Sequence, residues 1–390
     1  MEKQNILYVH SSDELYGADR SLLRLVRDLD RRYFAPTVVI SDDVKYKERL
    51  LSPEIEEFEV KTITIPLAVL RRKYFHPIGL IYFIALLLVS VWRLSRLIVE
   101  YRIDIVHSNS SAVISGAWAA FVTQRPHIWH VREVYTSPRF LGKVMARLVS
   151  ALSHRVIAVS GPVRANLIDD GCNPNGIVVI HNGIDLDKYE YGPTARNRIR
   201  TEFGIPFDAP TIGVLGRISS WKGQDVLIQA ARQVVNEHPE TFFVLVGGIV
   251  EWEPFRRDEL LALVDKLHLT ERVFVEGFRR DVPDLLASFD VFVLPSTRPD
   301  PYPTVVLEAM ACGLPVIASA HGGVLEMVNE ETGMFVPPED PMALACSISR
   351  LITNPSLRSA MGDAALRHAR ANFATSNYVT AIENIYIQDV

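Results

Sequence analysis

The chain has 390 residues, 48% of them hydrophobic and 22% charged, with 21 Gly and 23 Pro. That length accommodates two ordinary domains, and the apolar share excludes a disordered or collagen-like chain. Net charge is −5, which argues against nucleic acid as a partner. The three cysteines, Cys172, Cys312 and Cys346, are far apart and odd in number. No disulfide framework or structural zinc site is expected, and a reduced, cytoplasmic setting follows.

The first apolar segment, NILYVH at 5–10, is too short for a secretory leader and reads as a buried strand. Further strand-like runs are APTVVIS (35–41), DIVHSNS (104–110), HIWHV (127–131), HRVIAVS (154–160) and GIVVIHN (176–182). A second series comprises TIGVLG (211–216), TFFVLVGG (241–248), RVFVEGF (272–278), VFVLPS (291–296) and LPVIAS (314–319). Helical patterns such as Ser21–Leu29 and Val226–Asn236 lie between the runs. Continuous Val/Ile/Leu runs indicate strands buried on both faces. Their alternation with helices predicts an α/β fold of two doubly wound parallel sheets, joined near the polar stretch Glu190–Pro210. Ligands of such sheets sit at the carboxyl ends of the strands, so one cleft between two facing sheets is expected.

Pro77–Trp92 is an uncharged run of 16 residues, bracketed by Arg71, Arg72, Lys73, Arg93, Arg96 and Arg102. Spanning a bilayer takes about 20 residues. Helical spacing puts Leu80, Phe83, Ile84, Leu87, Leu88, Val91, Leu94, Leu97 and Ile98 on a core face. Ile81, Tyr82, Ala85, Leu86 and Val89 then form a second apolar face, which a surface helix does not need. Residues 61–164 carry 14 basic side chains against Glu100, Asp104 and Glu133. Together these predict a core helix whose outer side meets an anionic membrane surface. Burial on both sides, or an oligomer contact, is the alternative.

The chemistry concentrates in RPDPYPTVVLEAMACGLPVIAS (298–319) and GVLGRISSWKGQDVLIQA (213–230). In the first, Pro303 fits a first helical position and Gly313 a helix stop. The helix start offers N–H groups and a positive dipole end, with Asp300 before it and Glu308 one turn inside. In the second, a strand delivers Gly216 and Arg217 and a loop carries Lys222, two cations suited to a diphosphate. Neither a P-loop nor a dinucleotide fingerprint is present, which removes the main support for an NTPase or a dehydrogenase.

Asp300 and Glu308, in DPYPTVVLEAMACGLPVIAS, resemble the E-x7-E motif of retaining glycosyltransferases of family 4, and GRISSWKG resembles that family's diphosphate-binding loop. VIHNGID, VIAVSGPV, VEGFRRDVPDLLASFDVFVLPS and HGGVLEMV follow the family's order and spacing. LYGADRSLLRL resembles its N-terminal glycine loop, and HVRE a histidine segment of its polysaccharide-assembly members.

The resemblance implies a GT-B-like fold, with residues 1–189 and a returning helix at 374–390 for the acceptor, and 190–373 for the donor. It implies a UDP- or GDP-sugar as donor, a lipid-linked or other saccharide as acceptor, and no cofactor or metal ion. Arg217 and Lys222 would neutralise the leaving diphosphate, beside Gly216, and Asp300 and Glu308 would hold sugar and ribose hydroxyls. Backbone groups at Phe278 and Arg279 would meet the base. Tyr302, Thr304 and Val305 would supply the amides that reach phosphate. Gly17 would allow close approach to the diphosphate, and His130 would lie beside the reacting sugar. Two departures stand out: Asp300 is one methylene shorter than the usual Glu, and Pro301 and Pro303 offer no N–H. Within the same architecture, a nucleotide-sugar 2-epimerase or a membrane-bound scaffold without turnover is the alternative. The expected location is cytoplasmic, peripheral on the inner face of the plasma membrane.

Overall fold

The computed structural model describes residues 3–44, 48–135, 139–189, 193–250 and 252–388. Contacts divide the chain into two units, Met1–Gly183 with Thr375–Val390, and Ile184–Ala374.

The first unit runs β1 (Gln4–His10), α1 (Gly17–Asp28), β2 (Phe34–Ser41), α2 (Leu51–Glu56), β3 (Lys61–Ile65), α3 (Pro77–Glu100), β4 (Ile105–Ser108), α4 (Ile114–Thr123) and β5 (His127–Val131). It continues with α5 (Arg139–Leu152), β6 (Arg155–Ala158), α6 (Gly161–Asp169) and β7 (Ile177–Val179). Its seven strands are ordered β3-β2-β1-β4-β5-β6-β7, all parallel. In β1, Ile6 and Tyr8 face α1, while Leu7 and Val9 face α3 and α4. Burial of both sets is why the strands read as unbroken apolar runs.

The second unit begins with α7 (Pro193–Glu202), then β8 (Thr211–Leu215), α8 (Gln224–Glu237), β9 (Phe242–Val246), α9 (Arg256–Lys266), β10 (Val273–Glu276) and α10 (Val282–Ser288). It continues through β11 (Val291–Leu294), α11 (Thr304–Ala311), β12 (Val316–Ser319), β13 (Gly333–Val336), α12 (Pro341–Thr353) and α13 (Pro355–Asn372). Its six parallel strands are ordered β10-β9-β8-β11-β12-β13. The last helix, α14 (Thr375–Gln388), packs in the first unit beside α1. The Tyr386 hydroxyl meets those of Tyr8 at 2.9 Å and His107 Nδ1 at 2.7 Å, and Glu383 accepts from the Asp30 N–H at 2.7 Å. The double parallel sheet and the returning helix are as expected.

Three local expectations change. The polar stretch read as a linker contains α7, while Glu190, Tyr191 and Gly192 lie outside the described residues. Arg200 of α7 is buried, donates to the carbonyls of Pro206, Phe207, Ala209 and Ser288, and pairs with Asp290 at 2.8 Å. Helix α7 thus secures the entry to β8 and β11. Pro303 is the cap of α11, and Thr304 its first residue. On α3, the buried stripe is Gly79, Phe83, Ser90, Leu94 and Ile98. Leu80, Ile84 and Leu88, expected in the core, are exposed, because α3 meets the sheet along a narrow line beside α4. The Ser90 hydroxyl bonds Leu86 O at 2.6 Å and accepts from the Ala68 N–H at 3.0 Å, so this polar residue fits the buried line.

Burial holds His107, His127 and His130 neutral, with the pKa of His127 lowered to about 3. In the unfolded chain each protonates near the ordinary histidine value of about 6.5. Below that pH the unfolded state binds more protons, so stability falls as pH drops from 6.5 toward the depressed folded values, by up to about 1.4 kcal/mol per pH unit per histidine. Asp281, lowered to about 2 chiefly by its hydrogen bond from Arg279, loses its contribution only as pH falls through about 4, below the window from pH 5 to pH 7.5. The expected outcome is a melting temperature clearly lower at pH 5 than at pH 7.5. A flat profile would mean that these rings are accessible to protons in the native state.

Candidate active site

In the second unit, two loops meet at the carboxyl end of the sheet. One follows β8 and carries Gly216, Arg217 and Lys222; the other follows β11 and carries Asp300 and Tyr302 into α11. Gly223, at φ 69°, opens α8, and a Cβ there would lie 1.9 Å from the Pro295 carbonyl oxygen. Gly322, at φ 74°, presses on the second loop, where a Cβ would lie 2.5 Å from Asp300 O. No L side chain fits either place without movement.

This approach lets Lys222 Nζ reach Asp300 Oδ2 at 2.5 Å, with both side chains largely buried. The Lys222 ammonium also lies over the Trp221 ring at 4.2 Å. Ser296 Oγ is 3.4 Å from the same carboxylate oxygen, and the Gly323 N–H donates to Asp300 O at 2.8 Å. His321 Nε2 donates to Ser296 O at 2.8 Å, since a carbonyl can only accept. Gln224 donates to Arg217 O at 2.9 Å, fixing the backbone before the lysine loop. Glu253 accepts from both the N–H and the hydroxyl of Ser220, at 2.6 and 3.0 Å. Sequence reasoning missed Glu253, and its only signal is the loop that follows β9.

Glu308 is buried in α11, while Thr304 and Val305 form the first turn of that helix. Burial raises the Tyr302 phenol pKa, which keeps it protonated. The structure thus gathers Gly216, Arg217, Lys222, Asp300, Tyr302, Thr304, Val305 and Glu308 at one sheet end. A helix start beside two cations suits a phosphorylated ligand, and the carboxylates suit its hydroxyl groups. Phe278 and Arg279 follow β10, two strands from β8. The Arg279 side chain is taken up by Glu202 and Asp281, leaving its backbone for any base contact.

Gly17 and His130 belong to the first unit. Gly17 is the first residue of α1, which follows β1. His130 is fully buried, with its ring 5.6 Å from His107 and 6.4 Å from Tyr378. As it stands, that ring offers no surface to a sugar. Arg132, two residues on, was not singled out from sequence. It donates to Asn109 Oδ1 at 3.1 Å, Asn182 Oδ1 at 2.6 Å and the Tyr378 hydroxyl at 3.2 Å, and lies 3.4 Å from His130 Nδ1. Among the described residues no carboxylate pairs with it. Nearby, Asp19 of α1 accepts from His10 at 2.7 Å and Ser12 at 2.6 Å. Polar residues at the carboxyl ends of β1, β4 and β5 were the available signal for this cluster.

Among the described residues, no group of three His, Cys, Asp or Glu side chains is placed to hold a metal ion. Lys222→Ala and Arg217→Ala are each expected to lower turnover roughly 10²–10³-fold, as for other electrostatic groups at a leaving oxyanion; the melting temperature should change little in Arg217→Ala and fall in Lys222→Ala, which leaves the buried Asp300 carboxylate unpaired. Wild-type rates in both variants would remove the diphosphate assignment.

Residues 16–188 match the profile described as Glycosyltransferase Family 4, and residues 195–368 that of Glycosyl transferases group 1. A D-inositol 3-phosphate glycosyltransferase of Kineococcus radiotolerans is 31% identical over 301 residues, 70% of this chain and 68% of that protein. Spore coat protein SA of Bacillus subtilis is 31% identical over 223 residues, 53% of this chain and 57% of that protein. Among solved structures, Anabaena Alr3699/HepE in complex with UDP-glucose superposes with a TM-score of 0.85 at 25% identity, covering 98% of this chain and 99% of that one. A glycosyltransferase from Rickettsia africae gives 0.84 at 22% identity, covering 100% and 99%. The chain belongs to glycosyltransferase family 4, the retaining, nucleotide-sugar-dependent enzymes of GT-B fold.

Proposed function

We propose that this enzyme transfers a hexose from a UDP- or GDP-sugar to a hydroxyl of a lipid-linked saccharide, in the synthesis of a cell-surface polysaccharide. In this reading it works in the cytoplasm, peripherally on the inner face of the plasma membrane. The observation that carries the donor assignment is the Lys222–Asp300 pair beside the start of α11, with Arg217 on the same loop. That HepE binds UDP-glucose supports a nucleotide sugar of this kind.

The second unit holds the donor. Arg217 and Lys222 face the diphosphate, and the first turn of α11 adds amides from Thr304 and Val305. Glu308 accepts from ribose hydroxyls and Asp300 from sugar hydroxyls. When the donor enters, Lys222 exchanges part of its contact with Asp300 for phosphate oxygen, and Asp300 is released toward the sugar. The bond from the anomeric carbon to the phosphate oxygen breaks, and a bond to the acceptor oxygen forms on the same face. The acceptor's proton goes to the departing phosphate oxygen. Charge builds on that phosphate as the bond breaks, which is where two fixed cations have most effect. Arg132 and the network around His130 hold the first unit's strand ends in place for the acceptor.

Incubating the enzyme with UDP- and GDP-sugars, with and without a membrane extract, tests this reading. Sugar should enter the lipid-extractable fraction with release of the nucleoside diphosphate, only when extract is present, and equally in excess EDTA. Conversion of the donor into another nucleotide sugar without acceptor would show an epimerase. Loss of activity in EDTA, restored by magnesium or manganese, would overturn the role given to Arg217 and Lys222.

A further inference from the structure

The outer side of α3 is an apolar surface with no protein partner among the described residues. Ile78, Ile81, Leu88, Trp92 and Val99 point away from the sheet and are 58–76% exposed. At helical spacing they form one stripe opposite the buried line of Phe83, Leu94 and Ile98. The stripe continues into a shallow cavity of about 520 Å³ between α3 and the end of α4, lined by Trp92, Val99 and Thr123 with Arg96 and Glu100 at its edge. Phe121 and Val122 of α4, and Phe140 of α5, are each more than 60% exposed.

Charge around this surface is mostly positive, with Glu100 the acidic side chain among it. Arg93, Arg125, Arg139, Lys143 and Arg147 have no ion-pair partner among the described residues. On α5, Arg139, Lys143 and Arg147 repeat every four residues, so they share a face. Arg96 lies over the Trp92 ring at 5.1 Å. Arg71 and Lys73, expected from sequence to meet lipid, are instead tied to buried Asp43, Arg71 at 2.6 Å and Lys73 at 3.6 Å.

We infer that α3 lies flat in an anionic bilayer, its outer stripe among the acyl chains, with Arg93, Arg125 and the α5 cations on lipid phosphates. Its 24 residues would be long enough to cross a membrane. Crossing is opposed by Phe83, Leu94 and Ile98, which are built into the core of the first unit. A helix held in the core along one side, with Trp92 beside Arg96 on the other, instead suits the headgroup boundary. A second copy of the chain would bury the apolar stripe but would bring like charges together. Docking of this kind serves a lipid-linked acceptor, and to that extent it rests on the function proposed above.

Flotation of the full-length protein with vesicles of phosphatidylcholine, alone or mixed with phosphatidylglycerol, tests the surface. Binding should require phosphatidylglycerol and weaken with salt, since exposed charges are screened within about 8 Å at physiological ionic strength. Leu88→Glu and the pair Arg93→Glu, Lys143→Glu should each lower binding at least tenfold without changing the circular dichroism or melting temperature. Lipids brominated along the acyl chain should quench fluorescence in the wild type and less so in Trp92→Phe. A protein that stays unbound at low salt, or binds unchanged with Leu88→Glu, overturns the inference. So does a dimer by light scattering that Leu88→Glu converts to monomer. Nucleotide release measured on the same preparation with UDP- and GDP-sugars and membrane extract separates the two readings: release without vesicle binding removes only the docking surface, and vesicle binding without release removes only the transfer reaction.

Discussion

The candidate donor site depends on how closely two stretches of backbone approach at the end of the second sheet. Lys222 and Asp300 are 78 residues apart in sequence. They meet because the loops after β8 and β11 are pressed together with no Cβ at Gly223 to separate them, while Gly322, after β12, packs against the Asp300 backbone from the other side. Their opposite charges then fix each other at 2.5 Å. A lysine is costly to bury alone, and Asp300 offsets that cost; in the proposed function it does so until the diphosphate arrives. The shorter side chain of Asp300 fits this arrangement, since its backbone is already drawn in by the Gly323 N–H.

Much of this was legible in the sequence, and the reasons are local. Strands buried on both faces cannot avoid being apolar throughout, so β1, β5, β8 and β11 announce themselves. The two unrecognised strands, β3 and β13, are both at sheet edges. KTITI alternates and GMFV begins with glycine, because an edge strand has one neighbour and less apolar surface to cover. Helix α7 was hidden by its polarity: its main anchor is a buried arginine whose partners lie in other segments. The cations and carboxylates of the site were visible as residue types, whereas the Lys222–Asp300 contact needed the fold. His130 shows the converse. Its position at a strand end was legible, but burial against Tyr378 depends on a helix that begins more than 240 residues later.

On α3, composition identified a surplus of apolar surface, and packing decides which residues make up the surplus. Periodicity alone gave Leu80, Ile84 and Leu88 to the core, but the line of contact with the sheet is narrow and passes through Ser90. The same packing sorts the cations. Arg71 and Lys73 serve Asp43 and hold the chain before α3, while Arg93, half-buried, and the exposed basic side chains of α5 make no ion pair among the described residues. A count of charges along the sequence could not separate these two groups.

The central claim is that Lys222 is a diphosphate ligand held ready by Asp300. Calorimetric titration of the wild type and Lys222→Ala with uridine and UDP, and with guanosine and GDP, tests it most directly. The account predicts that the substitution removes most of the affinity that a diphosphate adds to its nucleoside and leaves nucleoside binding unchanged. An undiminished preference for the diphosphate in Lys222→Ala would contradict it.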